Sequence, residues 1–131
     1  DGGARDDDLA GDAGNDTLTG GTGKDLFIFD TAPNATTNRD TLTDFMAADD
    51  GIELSHAVFT ALVAGTLASA AFHKGAGVAT AHDASDRILY DTTTGALFYD
   101  ADGNATTHAP VRFATLTGSP DGLTYADFTV V

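Results

Sequence analysis

The chain has 131 residues and a formal net charge of −14, with six Lys plus Arg against twenty acidic residues, nineteen of them Asp. That balance disfavours nucleic acid and anionic membrane surfaces as partners, and the lack of Cys excludes disulfides and thiolate metal sites. Of the 42% hydrophobic residues, 23 are Ala, so few large side chains are available for a core, and no apolar run approaches the ~18 residues of a membrane span.

The opening, DGGARDDD, has neither the basic nor the apolar region of a secretory signal peptide and reads as the middle of a repeat. On that reading the natural N-terminus lies upstream. A nine-residue period follows without a gap: GGARDDDLA (2–10), GDAGNDTLT (11–19) and GGTGKDLFI (20–28). It sets Asp7, Asp16 and Asp25 in one column and Leu9, Leu18 and Phe27 in another. Glycine permits positive φ in a tight turn, Asp brings a charged oxygen close to the backbone, and the short stretch after it makes a strand with one apolar residue turned inward. A preference for Asp over Glu suits hard-cation ligation, where short carboxylates share an ion with neighbouring carbonyls.

These repeats resemble the G-G-x-G-x-D-x-U-x nonapeptide of RTX (repeats-in-toxin, haemolysin-type) proteins. The resemblance implies a parallel β-roll in which nine residues make half a turn, so that repeats eighteen apart stack on one edge and calcium (Ca2+) lies between them. Asp7 and Asp25 would then supply carboxylates to one complete site, with loop carbonyls around Gly2, Ala4, Gly20 and Thr22 completing about six to eight oxygen ligands. Asp16 falls on the opposite edge with Gly11 and Ala13 as its loop positions. Its stacked partner is either an upstream repeat or the segment FDTAPN, where Asn34 occupies the aspartate position. Arg5 and Asp12 stand where the repeat has glycine, which predicts strain or weaker affinity in the first turn.

The run LFIF from Leu26 is apolar on both faces, which suggests that the roll stops alternating and packs beneath another layer. RDTLTDFMAADDGIELS reads as two alternating strands about an Ala-Ala-Asp-Asp-Gly turn, with Leu42, Phe45, Ile52 and Leu54 inward. It resembles the segment that closes the roll in serralysin proteases and alginate epimerases. Asp40 is either a last ligand or a strand-start Asp in a turn. Residues 56–85 are Ala-rich and fit two short helices. Beyond them RILYD and ALFYDAD flank Thr-Thr-Thr-Gly as a hairpin, and VRFATL and TYADFTVV add strands, so the tail reads as antiparallel β. Asp100, Asp102 and Asn104 in YDADGNA space like the start of an oxygen-ligand loop, but the closing Glu of the twelve-residue calcium loop is absent, and a plain Asp-Gly turn fits better than a second type of calcium site.

The expected fold is therefore mainly β: a short parallel β-roll over residues 1–34, then a β-rich, largely antiparallel cap over 35–131 with one or two short helices, packed on the roll as one unit. The terminal ADFTVV resembles the C-terminal signal read by type I secretion systems, which implies export to the cell exterior and transient contact with that apparatus. Resemblance to epimerase modules raises a second reading, a calcium-organised face for extracellular polysaccharide, with Tyr90, Phe98, Tyr99 and Phe113 as a platform. His56, His73, His82 and His108 form no HExxH pattern, and no Ser lies in a G-x-S-x-G elbow. With no nucleophile, base and orienter set, the chain reads as non-enzymatic, any catalysis belonging to an upstream part.

Overall fold

The computed structural model describes residues 1–131, and the chain is mainly β. The repeats give β1 (Gly3–Ala4), β2 (Asp8–Ala10), β3 (Thr17–Leu18), β4 (Gly21–Thr22) and β5 (Leu26–Phe29); β6 (Asp40–Leu42) and β7 (Gly51–Leu54) follow. The remainder forms β8 (Gly65–Thr66), β9 (Phe72–Gly75), β10 (Ile88–Asp91), β11 (Ala96–Tyr99), β12 (Val111–Leu116) and β13 (Phe128–Val130). No helix is long and apolar enough to cross a membrane.

Parallel stacking builds the first part. β1 pairs with β4 in the register Gly3↔Gly21, and β2 with β5 as Leu9↔Phe27, an eighteen-residue step. The next turn is longer: Thr17 pairs with Thr41 and Phe27 with Ile52. The extra residues sit mostly between β5 and β6, where a loop closes on an Asn34–Asn38 bridge. Parallel stacking therefore runs on to Leu54, past the boundary expected at residue 34. Gly21 shows why the repeat needs glycine here. Its φ is 102°, and a Cβ would drive into the Gly3 backbone.

The two faces of this stack are carried onward by the rest of the chain. One sheet has the order β3-β6-β12-β11-β10-β9 and the other β2-β5-β7-β13-β8. β12 joins β6 in parallel (Ala114↔Asp40) and β13 joins β7 in parallel (Phe128↔Ile52). The last turn of the stack is thus not left as two bare edges, which would be templates for aggregation. A cluster of 21 buried apolar residues lies between the sheets, the column Leu9, Leu18, Phe27 meeting Leu97, Tyr99, Phe113 and Phe128. Phe29 packs edge-on against Phe113 at 5.1 Å between centroids, and Phe59 against Phe113 and Tyr99 at 5.3 and 5.0 Å. Full burial of each such side chain stabilises by roughly 1.5–3 kcal/mol.

Several expectations need correction. LFIF keeps its alternation, with Phe27 and Phe29 buried and Leu26 and Ile28 half-buried. The strands of RDTLTDFMAADDGIELS lie in opposite sheets rather than beside one another, although Leu42, Phe45, Ile52 and Leu54 are all buried. Residues 56–85 hold no pair of short α-helices. They form turns, β8, a single 3₁₀ turn at Ser69–Ala71 and β9. Gly65, Gly75 and Gly77 interrupt the Ala-rich stretch, and Phe59, Leu62 and Leu67 are drawn into the core from irregular backbone. The tail is mixed rather than antiparallel throughout. The RILYD–ALFYD hairpin forms as expected, Ile88↔Tyr99, but β9 pairs with β10 in parallel.

Candidate metal centres

Stacking places the acidic column on two edges. On the first, the Asp7 N–H donates to Asp25 Oδ1 and the Asp25 N–H to Asp50 Oδ1, each at 3.0 Å. Asp25 and Asp50 thus each accept from the aspartate one turn earlier. Asp25 is 2% exposed. Gly2 and Gly20 face these carboxylates, and a Cβ on Gly2 would lie 2.8 Å from both Asp7 Oδ2 and the Gly20 carbonyl. The Gly20 and Thr22 carbonyls accept from the N–H groups of Gly3 and Arg5 at 2.9 and 2.7 Å, and each retains a second lone pair. Ala4 stands in register with Thr22. Asp44 closes this edge, its two oxygens accepting from the Gly20 and Gly21 N–H groups at 2.9 and 2.8 Å, and Asp50 Oδ2 accepts from Met46 N–H at 2.8 Å.

On the second edge the Asp16 N–H donates to Asp40 Oδ1 at 3.0 Å. A Cβ on Gly11 would lie 2.9 Å from Asp40 Oδ2, so this glycine also opens space at a carboxylate; Ala13, next in its loop, is exposed. Asp40, 5% exposed, has its pKa raised by burial first and by the neighbouring Asp16 charge. Asn34 does not stack on Asp16. It caps its own loop, accepting from Thr36 and Thr37 N–H at 2.9 and 3.1 Å, because the longer turn moves the aspartate position on to Asp40.

Two carboxylate oxygens in these columns, Asp7 Oδ2 and Asp16 Oδ2, are sealed from solvent and accept no hydrogen bond. An orphaned buried charge costs several kcal/mol unless paired, so these oxygens fit a cation. The surrounding donors are carboxylates and carbonyls, a hard set suited to calcium and unsuited to thiophilic metals.

The YDADGNA loop follows β11. Asp100 is 1% exposed and its Oδ1 accepts from Asp102 N–H at 3.1 Å, while Asp102 Oδ2 accepts from Thr107 and His108 N–H at 3.0 and 2.9 Å. Burial pushes the Asp100 carboxyl up. Burial acts the same way on Asp102, but the His108 N–H and the other donors outweigh it and hold that carboxyl low.

Sequence reasoning missed Asp44 and Asp50, whose signal was their place in the segment closing the roll. It also missed a group at His82, Asp83 and Asp86, whose ligand atoms lie within 4.8 Å of one another. There Asp86 Oδ2 accepts from His82 and Asp83 N–H at 2.7 and 3.0 Å, so this carboxylate is occupied in holding the turn. His73 stacks on His82 at 5.4 Å, a pairing that no helical spacing could reveal. Tyr90, Tyr99 and Phe113 are buried in the core and Phe98 is half-buried, so three of the four residues expected as an aromatic platform for a polysaccharide are taken up by packing.

Among known proteins, the family model described as peptidase M10 serralysin C terminal matches residues 3–118. A search of curated proteins finds no match.

Proposed function

The chain belongs to the peptidase M10 serralysin C-terminal family, and from that premise we propose that it folds on binding calcium outside the cell and carries the signal for type I export. The family is a non-catalytic C-terminal region with RTX-type calcium-binding repeats, found in proteins secreted by type I export. Asp7, Asp25 and Asp50 on one edge and Asp16 and Asp40 on the other hold the ions, with carbonyls of the Gly2–Ala4, Gly20–Thr22 and Gly11–Ala13 loops. The stacked turns to Leu54 form the calcium roll, and the remaining residues form the cap and export signal. The observation that carries this reading is the pair of sealed, unpartnered oxygens on Asp7 and Asp16.

The mechanism follows from charge. Where free calcium is scarce, a chain of net charge −14 repels itself and its Ala-rich apolar set does not offset chain entropy, so it stays extended and exportable. Millimolar calcium outside the cell neutralises the columns, and an affinity on the order of 10⁻⁴ to 10⁻³ M makes that gradient the switch. Each ion bound only by the folded state then adds stability by mass action. The terminal strand β13 docks on β7 only in the folded chain, so ADFTVV is free for recognition before folding. Circular dichroism in calcium against excess EGTA tests the switch. Strand signal is expected only with calcium, and an unchanged spectrum in EGTA overturns the reading.

A further inference from the structure

We propose that the Asp100–Asn104 loop holds a divalent hard cation of the calcium class, at a site separate from the stacked repeats. Three carboxylate oxygens in the chain are sealed from solvent without a donor: Asp7 Oδ2, Asp16 Oδ2 and Asp102 Oδ1. Two belong to the repeat columns. The third carries the same signature beyond the hairpin, where no repeat explains it.

The geometry fixes where that oxygen points. Asp102 Oδ2 is held by the Thr107 and His108 N–H groups, so the carboxylate cannot rotate to share those donors with Oδ1. Asp100, 1% exposed, turns into the same loop, its Oδ1 accepting from the Asp102 N–H. No Lys or Arg pairs with either carboxylate, and the one basic contact, His108 Nδ1 at 3.5 Å, is made to Oδ2. Asp100 is buried and Asp102 half-buried, and two carboxylates brought together in one turn need a positive charge or a proton between them. A calcium ion bonds oxygen at about 2.3–2.6 Å, shorter than the ~2.7–3.2 Å of a hydrogen bond from N–H, so it satisfies an oxygen that a water sphere does not reach. Asp100, Asp102 and Asn104 alternate along the loop and offer side-chain oxygens at every second residue, and loop carbonyls complete the shell.

Amide NMR of the calcium-saturated, folded chain, with a paramagnetic lanthanide titrated in to replace calcium, tests this without mutation, because both states compared are folded. The Thr107 and His108 amides are expected to shift and saturate, as are the Gly20 and Gly21 amides of the roll. Direct ion counting after dialysis is expected to give one fewer calcium per chain in Asp102→Asn and in Asp100→Asn. Asp16→Asn should instead lose an ion from the roll while the Thr107 and His108 response persists. If the roll amides shift and Thr107 and His108 do not, the loop site is wrong and the roll reading stands; a shared proton between Asp100 and Asp102 gives this result, with the amides following pH alone. An unchanged ion count in a folded Asp102→Asn also overturns it. Should the variants fail to fold, the wild-type titration decides.

Discussion

Arg5 has a φ of 121°, in a region that side chains rarely adopt and that its stacked counterpart Gly23 enters at 146°. Strain of this kind costs on the order of 1–3 kcal/mol. Arg5→Gly gives up some chain entropy but relieves this backbone strain, and it is expected to stabilise the calcium-bound chain by about 1 kcal/mol. The calcium midpoint followed by circular dichroism should fall, and a rise would show that Arg5 makes compensating contacts. Asp91 shows the opposite case, a polar residue held by its turn and by the Gly77 N–H. Its carboxylate accepts from the Thr94 hydroxyl at 2.6 Å, the Thr93 N–H at 2.9 Å and the Gly77 N–H at 2.8 Å, and these bonds lower its pKa from 3.8 to about 2. A depressed carboxyl contributes stability above the unfolded value and loses it as pH falls through the folded one. Asp91→Asn should therefore cost about 2 kcal/mol at neutral pH. The gap to wild type in urea melts should close between pH 4 and about 2. A gap independent of pH would mean that shape, not charge, holds the turn.

The repeat strands are governed by a rule that sequence states openly. A period of nine with glycine, aspartate and one apolar residue fixes both the stacking of Asp7 on Asp25 and the inward column Leu9, Leu18, Phe27. Asp16 was harder, because its partner depends on a loop length. The extra residues around the Asn34–Asn38 bridge move the aspartate position to Asp40, and no local propensity reports how many residues a loop bulges out. Residues 56–85 failed for a related reason. Ala favours helix, but Gly65, Gly75 and Gly77 break the run, and strand β9 is specified by its pairing with β10, a long-range contact. The hairpin was legible because its turn and its alternation agree. The join between these elements depends on Phe113, 2% exposed, which contacts both Phe29 of the roll and Phe59 of the irregular segment. Phe113→Ala should cost about 3–5 kcal/mol. Differential scanning calorimetry in saturating calcium measures it, and a loss below 1 kcal/mol would mean that the cap does not lean on this ring.

At the scale of the molecule, roll and cap share both sheets and one core, so neither has a complete set of partners alone. β12 takes its edge from β6 and β13 from β7, while β6 and β7 owe their positions to turns closed through Asp16–Asp40 and Asp25–Asp50. On the proposed reading, withdrawing the ions would leave the carboxylates of both edges unscreened and weaken the register on which the cap strands dock. Calcium loss should then unfold the chain in one step rather than fray the roll from a persistent cap. The three tyrosines, Tyr90, Tyr99 and Tyr125, all lie in the cap and none in the repeats, so their fluorescence reports the cap. Chelator titration should move tyrosine fluorescence and roll amide exchange along the same curve. Tyr99 is the sensitive reporter, since its hydroxyl accepts from the Ala61 N–H at 2.9 Å across the core. Tyrosine signals that survive after the Gly20 and Gly21 amides exchange freely would separate the two parts. They would assign calcium to the roll alone, with the cap held by its own core.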